Sequence, residues 1–247
     1  MIKFICTLAS VCIMSQVIAQ SGNFPVASIP DSMKKNASSV LRDERIEFEV
    51  RSIDKASYNI HKVITVLNES GKDELLFYEF SDKFHSLEDV SIEAYDLKNG
   101  TKRKYSKSDL TKQSTGEGLV PDGKVYYLDI PTTGYPVTIS IDYKIKMNGL
   151  LNYPDYLVQV PEQSVENSVF IARVPAELDL RFKSKNTRLT PAVAEEGKYK
   201  TYTWAVKNLT AMENEEGSVS AESRYPRILI SPNKFELDGY AGDMSSW

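Results

Sequence analysis

The chain of 247 residues carries 30 Lys and Arg against 34 Asp and Glu, a formal net charge of −4. No basic stripe stands out, and phosphate binding needs one, so nucleic acid is excluded as a partner class. Hydrophobic residues at 41% and charged residues at 26% are ordinary for a globular protein, long enough for one large all-β domain or two small ones.

The N-terminus reads as a targeting segment. Lys3 supplies a small positive region, Phe4 to Ile18 is mostly apolar, and Val17-Ile18-Ala19 has the small-residue pattern of a cleavage site. Residues 1–19 are therefore expected to be a signal peptide, with the mature chain starting at Gln20. The apolar run is short of the ~20 residues of a membrane span. Both cysteines, Cys6 and Cys12, lie inside it. The mature chain then has no disulfide framework, thiolate metal site or cysteine nucleophile. Export without disulfides fits the periplasm or cell surface of a Gram-negative bacterium.

After a polar lead-in from Ser21 to Ser28, the spacing turns helical. Asp31 or Ser32 can cap, and Met33, Ala37, Val40 and Leu41 fall at i, i+4, i+7 and i+8. One short amphipathic helix is expected there. Strand patterns follow. Ile46, Phe48 and Val50 alternate with Glu47, Glu49 and Arg51, and Tyr58 to Leu67 is rich in β-branched residues before the turn Asn68-Glu69-Ser70-Gly71. Leu75 to Phe80 and Val90 to Leu97 come next, and Asn99-Gly100 is a hairpin signal because a type I′ turn needs positive φ twice. Pro121-Asp122-Gly123-Lys124 turns the chain into Val125 to Ile130.

Val137 to Met147 is the clearest strand of all. Val137, Ile139, Ile141, Tyr143, Ile145 and Met147 alternate without a break with Thr138, Ser140, Asp142, Lys144 and Lys146. Such a run has one dry face and one wet face. At roughly 36 Å it is long and should be central. Strands resume at Val165 to Val174, Leu178 to Lys183, Tyr199 to Val206 and Arg227 to Ile230. No run of alternating strands and helices appears, so the expected fold is an all-β, antiparallel, immunoglobulin-like β-sandwich over 20–231 with one short N-terminal helix. Residues 232–247 read as a linker.

Few residues suggest chemistry. His61 lies mid-strand as an ordinary half-exposed residue, and the adjacency of His85 and Ser86 makes no triad. Two isolated histidines do not make a zinc site. Glu213, Glu215 and Glu216 form an acidic loop, and Asp238-Gly239 with Asp243 lacks the ligand spacing of a calcium loop. No metal or cofactor is expected, and no carboxylate pair is singled out for glycoside hydrolysis. Tyr153 and Tyr156 flank Pro154 in a loop and are the best exposed aromatic candidates for binding a sugar or peptide, whereas Trp204 is expected in the core. A tail ending on Trp247 suggests that the chain was cut or that Trp247 docks back, which makes Met244 and Trp247 candidate interdomain contacts.

Several stretches together carry a resemblance. They are Ile29 to Ala37 before Val40-Leu41-Arg42, Val63 to Gly71, Ile92 to Asp96 with Asn99-Gly100, Trp204 to Leu209 leading into the acidic loop, and the tail Phe235 to Trp247. This set resembles the N-terminal domain of unknown function that precedes a transglutaminase-like core in exported bacterial proteins. The resemblance implies an immunoglobulin-like sandwich and a papain-like Cys-His-Asp domain beginning close to where this chain stops. None of that triad can be placed in this sequence. The expectation is a non-catalytic accessory module that positions or gates such a domain, with that C-terminal domain or another protein or peptide as partner. The alternative is a free-standing carbohydrate- or peptide-binding module working through Tyr153 and Tyr156.

Overall fold

A computed structural model describes residues 24–96, 100–115, 122–213 and 224–244. The signal segment, Asn99, Pro121, Glu215, Glu216 and Trp247 lie outside the described residues. One helical turn, α1 (Asp31–Lys34), precedes the strands β1 (Ser39–Ser52), β2 (Lys55–Val66), β3 (Leu76–Ser81), β4 (His85–Asp96), β5 (Thr101–Ser106), β6 (Thr111–Ser114), β7 (Lys124–Asp129) and β8 (Val137–Asn148). Then come β9 (Tyr156–Leu157), β10 (Gln163–Pro175), β11 (Arg181–Lys185), β12 (Ala192–Glu196), β13 (Tyr199–Leu209), β14 (Arg227–Ser231), β15 (Lys234–Leu237) and β16 (Tyr240–Asp243). The expected all-β sandwich is what forms.

One layer is an eight-stranded sheet in the order β12-β13-β10-β1-β2-β8-β4-β5. All its pairs are antiparallel except β1 with β10, which run parallel. Residues directly opposite one another share a face, so the register fixes which side chains meet. Trp204, Phe170, Ile46, Ile60, Tyr143 and Val90 form one cross-strand row on the inner face. The next row on the other face reads Ala205, Val169, Arg45, His61, Asp142 and Ser91. This row is polar on β1, β2, β8 and β4, while Val169 and Ala205 make its end on β10 and β13 apolar.

Smaller sheets cover the inner face: β3-β7-β6 and β11-β14-β9. Phe77 on β3 meets Tyr143 edge to face at 5.3 Å. Tyr156 stacks on Phe170 at 5.2 Å, Phe170 on Trp204 at 5.5 Å, and Phe182 closes edge-on against Trp204 at 5.6 Å. Trp204 is fully buried, as its place between Tyr202 and Val206 leads one to expect. All of these rings except Phe182, which stays exposed, belong to a single core cluster that joins both layers.

Among the described residues, the N-terminal segment caps one end of the outer face. Ile29 and Met33 of the N-terminal segment pack on Val40. Arg42, the extra residue in a bulge between Leu41 and Asp43, lies beneath that segment. It binds Glu166 at 2.7 Å, Ser28 at 2.8 Å and Thr65 at 3.3 Å.

Two expectations are corrected. The helix does not continue to Leu41: Lys35 is extended, Asn36 has φ 58°, and Ser38 and Ser39 donate to the Glu162 carbonyl. Val40 and Leu41 instead open β1, one under the N-terminal cap and the other in the core. Nor is 232–244 a bare linker. β15 and β16 form a hairpin around Asp238 (φ 55°) and Gly239 (φ 84°), two left-handed residues of the kind a type I′ turn requires. The hairpin is tied to the body by Glu236, whose N–H donates to Ile53 O and whose carbonyl accepts from Leu150.

Candidate functional site

A polar seam runs between the layers where the alternation predicts only apolar contacts. Glu44, on the inner face of β1, is 7% exposed. Ser168 Oγ donates to its Oε2 at 2.5 Å, and the Tyr156 hydroxyl lies 2.6 Å from Ser168 Oγ. Since Ser168 gives its proton to Glu44, Tyr156 must be the donor to Ser168. Lys62, directly across from Glu44, supplies positive charge and sits 3.8 Å from Glu74. Burial pushes the Glu44 carboxyl above its usual range, against the pull of Lys62 and Ser168.

At the end of the seam lies Glu79, which projects inward from β3 between Phe77 and Ser81. Its carboxyl accepts hydrogen bonds from the Tyr143 hydroxyl and the Phe80 backbone, and burial pushes its pKa up to about 7. The carboxylate faces a hollow of about 310 Å³ lined by Tyr58, His85, Met147, Asn152 and Tyr153. The walls are aromatic and apolar, and Glu79 is the acidic group set into them.

A second concavity, about 530 Å³, lies on the open part of the outer face. His61 Nδ1 donates to Asp142 Oδ1 at 2.7 Å, and its Nε2 is 3.9 Å from Asp43. The bond to Asp142 raises the His61 pKa against partial burial. Arg45 pairs with Glu47 at 2.7 Å alongside. Ser91 stands in the same row, but Asp142 lies between it and His61. A catalytic triad needs the imidazole between hydroxyl and carboxylate, so this order sets up no nucleophile. The row is suited to recognising polar groups.

The exposure expected for Tyr153 and Tyr156 is corrected: they are 6% and 0% exposed. Tyr153 turns inward onto Phe48, edge to face at 4.8 Å, while Tyr156 is held by Phe170 and Ser168. Neither offers a free ring face to a ligand. Tyr78 at 59% exposure and Tyr240 at 80% do, and Tyr78 pairs across the strands with Tyr127.

His85 and Ser86 are consecutive strand residues and so point to opposite faces. His85 Nδ1 lies 3.2 Å from Asp82. Glu213 is exposed and its carbonyl accepts from Arg224, while Asp238 pairs with Lys83 at 3.0 Å. Met244 is half-buried and its backbone N–H bonds Asn233. Among the described residues no three His, Cys, Asp or Glu side chains converge to hold a metal ion, and no helix is long and apolar enough to cross a membrane.

Residues 54–213 match the model of a Domain of Unknown Function with solved structure, DUF3857. No curated protein matches the chain. Among solved structures, a provisionally assigned protease from Parabacteroides distasonis superposes with a TM-score of 0.64 at 15% identity, over 78% of this chain and 40% of the other. An M1 zinc metallopeptidase from Deinococcus radiodurans gives a TM-score of 0.39 at 9% identity, over 79% of this chain and 42% of the other. The first shares the fold; the second is too distant in shape to carry an argument. The chain spans less than half the length of either.

Proposed function

The chain belongs to the DUF3857 family, and we propose that it is a non-catalytic interaction module of a longer, exported protein, positioning or gating a transglutaminase-like catalytic domain. The observation that carries this reading is the coverage. The same fold makes up 78% of this chain but only 40% of the provisionally assigned protease, as expected of one module beside another. The Arg45–His61–Asp142–Ser91 row supports it too, because its order suits binding rather than covalent catalysis. Export rests on the apolar run before Gln20.

The test is to assay the purified chain for peptide cleavage and amine cross-linking, and to read the open frame beyond Trp247. Inactivity, with a Cys, His and Asp domain encoded downstream, is the expected result. Turnover by this chain alone would overturn the reading. A second reading, a module that binds a neutral glycan or peptide, is favoured by the pair of exposed Tyr78 and half-buried Tyr127. Gln113, Ser114 and Thr115 border that pair in a shallow depression. Titration of a glycan and peptide panel against wild type and Tyr78→Ala tests it, and binding that ignores the substitution removes it.

A further inference from the structure

The hollow at Glu79 is a built site that the accessory role leaves unexplained. We propose that it binds a primary ammonium group on an alkyl stem, with Glu79 as counter-charge and the rings of Tyr58 and Tyr153 as walls. Three observations converge on this. The half-buried carboxyl lies between two layers of the fold, yet among the described residues only the Tyr143 hydroxyl and the Phe80 backbone offset its loss of water. A carboxylate partly withdrawn from water and left without a cation is costly, and a bound ammonium relieves that cost.

The lining comes next. Tyr58, Tyr153, Ile145 and Met147 give it aromatic and apolar walls, which pack against a hydrocarbon stem, while the half-buried Tyr58 ring adds attraction for a cation. Size is the third observation. About 310 Å³ is at the small end of ligand pockets, enough for a group as large as one amino-acid side chain. Anions are repelled by Glu79, and a neutral alcohol of the same length forgoes the ion pair.

The ammonium could arrive on a free alkylamine or on a lysine side chain of a peptide, and the two are separable. The full purified chain is titrated by calorimetry at pH 8 with n-butylamine, with a short glycine-flanked lysine peptide, and with n-butanol. At least one amine is expected to saturate, and n-butanol is not. Which amine binds more tightly identifies the source. Glu79→Gln, which keeps the side-chain shape and is checked for folding by circular dichroism, is expected to weaken binding at least about tenfold.

Binding should also weaken between pH 8 and pH 6, where the Glu79 carboxyl takes up its proton. That dependence should persist in His85→Gln, which removes the imidazole that also lines the hollow; Tyr58 and Tyr143 stay protonated throughout. The proposal falls if neither amine saturates, if n-butanol matches n-butylamine, or if folded Glu79→Gln binds as wild type does. It stands independently of the accessory role, which amine binding does not test.

Discussion

Glu79→Gln gives the sharpest energetic test of the interlayer seam. In an unfolded chain a glutamate titrates near 4.5, and burial between the layers pushes Glu79 up to about 7. Below pH 4.5 the carboxyl is protonated in both states and burial costs little. As the pH rises, the unfolded state releases its proton first, so it holds fewer protons than the folded state and stability falls. The fall ends once the pH has passed about 7. The gap between the two values corresponds to on the order of 3 kcal/mol, most of it lost between pH 5 and pH 7.

Glutamine stays neutral and still accepts from Tyr143, so the variant escapes this loss. Urea unfolding followed by Trp204 fluorescence at pH 5, 6, 7 and 8 measures it. The variant should match wild type within about 1 kcal/mol at pH 5 and exceed it by about 3 kcal/mol at pH 8. Glu44 and His61, whose pKa values are also raised, give slopes of the same sign, so the informative quantity is the difference between the two proteins. Parallel curves would refute the reading that the Glu79 carboxylate is left without a compensating cation.

Other substitutions probe the remaining sites. Arg42→Ala strips a buried guanidinium from Glu166, Thr65 and Ser28 and should cost about 3–5 kcal/mol in urea unfolding; a loss below about 1 kcal/mol would mean the pair is as weak as an exposed one. Tyr156→Phe leaves Ser168 without its donor and should cost about 1–2 kcal/mol, whereas an unchanged midpoint would dismiss the Tyr156–Ser168–Glu44 relay. Asp142→Asn should bring the His61 imidazole titration, read by proton NMR, back towards the ordinary histidine value; an unmoved curve would show that Asp142 does not hold it. When the full reading frame is expressed with an intact export system, the mass of the secreted chain should place its first residue at Gln20, and retention of Met1 would sink the signal-peptide reading.

What was legible depended on whether a local pattern had a single cause. β8 was read almost to the residue because each apolar position faces the core and each polar one faces away. Val40 and Leu41 misled because both are apolar for different reasons: one sits under the N-terminal cap and the other in the sandwich. At helical spacing from Met33 they imitated a longer helix. The hairpin of β15 and β16 was announced by Asp238-Gly239, but its strands have four residues each, too few for periodicity to register.

Tyr153 and Tyr156 sit beside Pro154, where a loop is a sound inference, and their burial comes from distant partners, Phe48 and Phe170. Glu79 had a faint signal, a carboxylate in step with Phe77 on the inward side of β3. Such a residue is usually placed at an edge, and only the second layer shows that it is enclosed. The pairing of β1 with β10 leaves no local trace at all.

That pairing has a consequence for the order of assembly. Side-chain bonds across it, Arg42 to Glu166, Asp43 to Asn167, Glu44 to Ser168 and Glu49 to Arg173, all join residues 124 positions apart. The middle of the large sheet is therefore completed by a segment made long after its partner, and contacts of such separation form slowly. Until β10 emerges, β1 is an open edge and the seam has no Ser168. A nascent polypeptide is thus kept from closing early by its own topology, and under the proposed export that delay would preserve the threadable state that passage through a membrane channel demands.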